Sequence, residues 1–313
     1  MGVFGTGLYS GDFAMDLRST ISAVVRLPFD GDKLANILCE SEPRAANEPG
    51  DEDHNTFWLV VADQFAKRSI VCDSVRDKAL EIIESGADIA VHQKLGMNPS
   101  DLRKRQRVLI ELRGRITAPA VDRSPKPVLK KPQALLMDIG DVFAYPTFGG
   151  RCINAYAASR ELDRQGTGTP AWKQDGWAAM VIVDHGRAFD FLAWYRPLTI
   201  SKAMVRKPTL EELRDVALWR LAHAGTCSPL HFRRMEFESI GALPVDNDKL
   251  RRSFPAAIVP GTRAAVSDIS ICNGISVAPY VPEVMMPRPG EPLNFKRGRP
   301  YPTILSISEI LSS

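Results

Sequence analysis

Phe13, Leu17, Ile21, Val24 and Val25 recur at steps of mostly three and four, the spacing that gathers apolar side chains on one face of a helix. A second short helix is expected over Asp32 to Leu38. Glu40 to Asp53 then loses both the helical and the strand period and reads as an acidic loop. The helical period returns at Phe57, Trp58, Val60, Val61 and Phe65, and again at Val71, Val75, Ala79 and Ile83. Asn98-Pro99-Ser100-Asp101 predicts a helix start, with Asn98 as cap, Pro99 where a missing N–H costs nothing, and Asp101 at the positive end of the helix dipole. That helix should run to about Ile116.

The pattern changes after Thr117. Pro119, Pro125, Pro127 and Pro132 remove the backbone donors that helices and inner strands need. Strand-like runs follow at Asp141 to Tyr145, Trp177 to Val183 and Ala188 to Tyr195, with Asp184-His185-Gly186-Arg187 as the expected hairpin turn. Thr209-Leu210-Glu211-Glu212 is a capping box, and Leu213, Val216, Ala217 and Leu221 would line one face of the helix it opens. Further strands are expected at Met235 to Ile240 and Ala264 to Ile275. The fold class is therefore α+β, a helical amino-terminal domain and then a mostly antiparallel β domain with one or two helices. The domains fall at 1–117 (helical), 118–133 (basic proline-containing linker), 134–280 (strand-rich) and 281–313 (proline-rich extension).

Charge sharpens this division. Net charge is only +3, yet residues 1–100 hold 9 Lys/Arg against 16 Asp/Glu, whereas residues 101–131 hold 10 against 3. Such asymmetry steers charged partners to one region without bearing on fold. No run of about twenty apolar residues is present to span a bilayer. With no basic patch and apolar run at the start, and five widely spaced cysteines, the sequence predicts a reduced, cytoplasmic protein.

No pattern for a cofactor emerges. Gly2, Gly5, Gly7 and Gly11 follow no strand and precede no Gly-Lys-Ser/Thr, so they predict a turn rather than a phosphate cradle. His223, Cys227 and His231 are spaced at four but are interrupted by Gly225 and Pro229, and no metal is expected there. No nucleophile motif stands out; a scattered catalytic set would have to be built from Asp141, Asp184, His185 and His231. Two kinds of surface remain. Arg103, Lys104, Arg105 and Arg107, with Arg297 and Arg299 in a Lys-Arg-Gly-Arg-Pro segment that resembles an AT-hook, would suit nucleic acid. Glu40, Glu42, Glu48, Asp51, Glu52 and Asp53 would suit a basic partner, by mimicking a polyanion.

Two stretches resemble bacterial families. Met1-Gly2-x-x-Gly5-x-Gly7 with Asp12-x-Ala14-x-Asp16 resembles an uncharacterised bacterial domain that begins M-G-x-W-G-x-G and continues D-x-A-x-D, with Phe4 standing where that family has Trp. Gly140-Asp141-Val142-Phe143-Ala144-Tyr145-Pro146, followed much later by Phe237-Glu238-Ser239-Ile240-Gly241-Ala242-Leu243-Pro244, resembles the immunity protein 26 family of polymorphic-toxin systems. Residues 159–175 look like an insertion relative to it. The resemblance implies a non-enzymatic protein that neutralises a cognate toxin by covering its active or substrate-binding surface. Tyr145, Trp172, Trp194 and Tyr195 are the aromatic anchors such an interface would use, with the acidic segment added if the toxin is basic. The alternative is a nucleic-acid-associated protein of phage-defence type, using residues 103–131 and 296–300.

Overall fold

The computed structural model describes residues 5–119, 128–148, 151–152, 174–216, 218–253, 270–274 and 304–312. These divide into two compact units, one ending at Lys131 and the other beginning at Pro132. The first is helical and the second is built on a mostly antiparallel sheet, an α+β arrangement.

Among the described residues, seven helices make the first unit: α1 (Asp12–Val24), α2 (Gly31–Ser41), α3 (Pro43–Asn47), α4 (His54–Ala66), α5 (Asp73–Ser85), α6 (Ala87–Lys94) and α7 (Pro99–Thr117). Helix α4 is the hub, because its run Phe57, Leu59, Val60, Val61, Ala62 and Phe65 is apolar on every side and almost wholly buried. Leu17, Ile21 and Val24 of α1, Val75, Ala79 and Ile82 of α5, and Leu109 and Leu112 of α7 are buried with it in this unit's interior. The α7 cap is the one the sequence predicts: the Asn98 side chain accepts a hydrogen bond from the Asp101 amide at 2.9 Å.

Two expectations fail in this unit. The segment 40–53 is not a plain loop, since Glu40 belongs to α2 and α3 follows at once. Ala45 and Ala46 are buried, and their carbonyls take His54 Nδ1 at 2.8 Å and Trp58 Nε1 at 3.2 Å, which ties α3 to α4. Val71 does not join the helical face with Val75; it precedes α5 and is 71% exposed.

The second unit has a nine-stranded sheet. Its strands are β1 (Asp141–Phe148), β2 (Arg151–Cys152), β3 (Gly176–Ala188), β4 (Leu192–Ile200), β5 (Trp219–Leu221), β6 (Gly225–Thr226), β7 (Glu238–Ala242), β8 (Ser270–Gly274) and β9 (Ile304–Leu305). The main path runs β2-β1-β3-β4-β5-β9; β7 pairs with β1, and β6 joins β4 to β8. Among the described residues, three short helices, α8 (Leu210–Arg214), α9 (Pro229–Arg234) and α10 (Asn247–Ser253), accompany it. Ala178 to Val183 are buried on both sheet faces. Phe143 and Phe237, with Phe232 of α9 and Tyr145, form an edge-to-face cluster with centroids 5.4–6.3 Å apart.

Here the sequence misplaces the hairpin. Asp184 to Arg187 lie within β3, paired with Ala193 to Arg196, and the reversal is made by Phe189 and Asp190 at φ 52° and 64°. Gly186 serves another purpose: a side chain there would lie 3.0–3.1 Å from the Trp194 ring, so the missing Cβ makes room for the indole. The Thr209–Glu212 capping box is present, but α8 stops at Arg214. Trp219 and Leu221 are buried and alternate with Arg220, a period of two that the free edge of β4 takes up as strand β5. The chain's last segment does not stand apart as an extension, since Ile307 and Ile310 pack into the strand unit's core. The proline-rich residues 281–303 lie outside the described residues.

Candidate interaction surfaces

Of the aromatic anchors expected from sequence, two are buried and withdrawn. Tyr145 is 0% exposed within the aromatic cluster. Tyr195 is equally buried, and its hydroxyl accepts the Leu136 amide at 2.7 Å. Both are period-two residues on inner strands, and there the large inward side chain fills the core. Trp172, like Arg297 and Arg299, lies outside the described residues. Trp194 is partly exposed.

The pairing of β3 with β4 places Asp184, Gly186, Trp194 and Arg196 on one sheet face, and β6 adds Thr226 opposite Trp194. Burial raises the Asp184 carboxyl above its usual range, and Arg196, His185 and Arg251 pull it back. A half-covered indole flanked by a carboxylate and a guanidinium is the composition of an interface anchor: a large apolar area at low entropic cost, with polar groups at its rim.

The acidic segment splits by burial. Glu40, Glu48 and Glu52 are exposed, whereas Glu42, Asp51 and Asp53 are partly covered. Arg44 pairs with Asp51 at 2.9 Å and reaches Glu48 at 3.8 Å, which offsets some of the negative charge. Burial raises the carboxyls of Glu42 and Asp53, with repulsion from Asp53 and Asp16 adding to the first and from Glu52 and Asp51 to the second.

Along α7 the basic stretch also divides. Arg103, Lys104 and Arg107 are exposed, and Lys104 pairs with Asp101 at 2.8 Å. Arg105 is 2% exposed and is withdrawn as a nucleic-acid contact. Its guanidinium grips Asp88 of α6 through two bonds of 2.9 Å and donates to the Gly7 carbonyl at 2.8 Å. The glycine-rich opening thus presents the Gly7 carbonyl to an arginine. Sequence reading also missed Asp63, fully buried in α4, whose carboxylate accepts from Tyr9, Lys67 and Arg115. A carboxylate inside an apolar helical run, four residues before a lysine, is the signal that would have found it.

Of the four residues of the scattered catalytic set, Asp141 and His185 both meet Asp138, while Asp184 lies opposite Arg196 of β4. Asp141 Oδ2 accepts the Asp138 amide at 2.8 Å, His185 meets the Asp138 carboxylate at 3.5 Å, and His231 is buried in α9. Burial lowers the His231 imidazole below its ordinary range. Among the described residues, no group of His, Cys, Asp or Glu is arranged to hold a metal ion, and no helix is long and apolar enough to cross a membrane.

Two of the buried histidines, His92 and His231, set a pH dependence. Burial lowers His231, and it lowers His92 against the pull of Asp88 and with help from Arg105. A histidine held below its unfolded value, about 6.5, stabilises the fold fully above that pH and loses its contribution as pH falls through the folded value. The raised Asp184 works in the opposite sense, adding stability as pH falls through its folded value. Denaturant unfolding below about pH 6.5 is therefore expected to fall less steeply with acidification in His231→Gln than in the parent chain; identical slopes would show that His231 does not titrate as its burial demands.

Compared with known family models, with curated proteins and with solved structures, the chain matches none.

Proposed function

We propose that this chain is a non-enzymatic binding protein of the immunity type, which inhibits a cognate toxin by covering its active or substrate-binding surface. The observation that carries this reading is the pairing of β1 with β7. The two segments that resemble the immunity protein 26 family are separated by some ninety residues, yet Asp141 pairs with Ala242, Val142 with Gly241, Phe143 with Ser239 and Ala144 with Glu238. Gly140 closes the junction, donating to Ile182 O at 2.8 Å and accepting from Leu243 N at 2.9 Å. The shared motif thus has a structural purpose, to join a strand entry to a late strand of the same sheet.

The surface that suits the task is the one around Trp194, with Asp184 and Arg196 beside it. A stable inhibitory complex needs about 1,600 Å² of buried surface with a few central anchors. The exposed Glu40, Glu48 and Glu52 add affinity and association rate if the toxin is basic. The reading is tested by co-expressing the chain with the product of the adjacent gene and purifying one by a tag on the other. A complex with one copy of each is expected; two proteins that separate at low and moderate salt would refute it. Nucleic acid as the partner is the second reading, supported by the exposed Arg103, Lys104 and Arg107, and it would appear as a salt-dependent DNA shift in place of that complex.

A further inference from the structure

In the helical unit, α4, α5 and the end of α7 enclose an open groove of about 580 Å³, within the range of small-molecule sites. Its floor is Ala62 and Phe65, and its walls carry Ile70, Val71, Leu80 and Ile116. Val71, at 71% exposure, is the most exposed apolar side chain of the wall. The two arginines of the rim differ. Arg76 is held by Asp73 at 2.7 Å and by Asp77 at 2.9 Å, so its charge is balanced. Arg115 meets the buried Asp63 through Nη1, but Asp63 is already neutralised by Lys67 at 2.6 Å. One carboxylate therefore serves two cations, and the remaining guanidinium donors of Arg115 have no partner among the described residues. Arg18 lies over the Tyr9 ring at 5.2 Å and Arg68 bonds to Gln64 close by, so the neighbourhood has an excess of positive charge.

The geometry points to a binding site for an amphiphilic anion: an unbranched apolar chain along Phe65, Ile70 and Ile116, ending in a carboxylate or phosphate held by Arg115. A solvent-facing guanidinium with donors left over from its carboxylate pair is the natural partner of such an oxyanion. The acidic end of the groove at Asp73 sets the orientation, with the head at the α7 end. A small ligand is favoured over a protein segment because the groove has the capacity of a ligand site and a single unbalanced charge.

The test is calorimetric titration of the full chain with decanoate and, separately, decyl phosphate, each below its micelle concentration. Decyltrimethylammonium and inorganic phosphate are the controls. Saturable binding of one or both anions is expected, the stronger of the two identifying the head group, with no binding of the cation. Arg115→Gln, which keeps the Lys67 pair to Asp63, and Val71→Asp, on an exposed wall where folding is not at risk, should each weaken binding by about tenfold or more. Equal binding of the cationic probe, unchanged affinity in both variants, or no heat with either anion would overturn the proposal. So would self-association of the chain that Val71→Asp abolishes, which would give the groove to a second copy.

Discussion

Arg105→Ala is expected to destabilise the helical unit by about 3 to 5 kcal/mol, the cost of leaving a buried carboxylate without its partner. Asp88 is 2% exposed and loses both charge-assisted bonds at once, while the Gly7 carbonyl loses the donor that fixes the opening loop. His92, 3.7 Å from Asp88, is too weakly basic in its buried setting to replace a guanidinium. Arg103→Ala and Arg107→Ala, exposed on the same helix, should stay within about 0.5 kcal/mol of the parent. Helical circular dichroism in denaturant measures the difference, because most of the helix belongs to this unit. A similar shift for all three variants would show that Arg105 is as solvated as its neighbours. The same experiment separates fold from recognition: loss of nucleic-acid affinity in Arg105→Ala would follow from unfolding, whereas loss in Arg103→Ala would report on contact.

Gly140→Ala is expected to cost the strand unit about 3 to 5 kcal/mol. The residue sits at φ +94°, where an L side chain is strained, and a Cβ would lie 2.6 Å from the Leu243 carbonyl oxygen. Relief requires moving one of the two backbones, and both bonds through Gly140 that tie β1 to β3 and to the end of β7 would be lost. Four of the five tryptophans lie in this part of the chain, so fluorescence reports its transition. A midpoint unchanged from the parent would mean that β7 is not anchored through Gly140, and the structural basis of the motif pairing would fail with it.

What the sequence made legible was local. The helices α1 and α4 followed from apolar residues at three- and four-residue steps, and α7 from its Asn98-Pro99-Ser100-Asp101 start, side-chain chemistry that acts within one turn. The capping box at Thr209 was equally legible, but the sequel was not: Trp219 to Leu221 became strand because β4 had an edge to fill, a fact about another part of the chain. The hairpin failed for a related reason. Gly186 looks like a turn residue alone, and only the cross-strand position of Trp194 shows that it is there to leave space. Buried charges were the least visible of all. Arg105 stands four and seven residues before Leu109 and Leu112 and so shares their face, a helical spacing that its place in a run of basic residues concealed. The loss of Tyr145 and Tyr195 as anchors has the same cause, since an aromatic on an inner strand and one on an open surface look alike in sequence.

The proposed function is binding, through the face that carries Trp194. The most direct measurement is the activity of any toxin-like protein encoded beside this chain's gene, purified and titrated with this chain and with Trp194→Ala. Inhibition that is complete at one equivalent of the parent chain, with an affinity weakened about tenfold or more by Trp194→Ala, is the expected result. A toxin that keeps its full activity in excess chain, or inhibition indifferent to Trp194, would contradict the account.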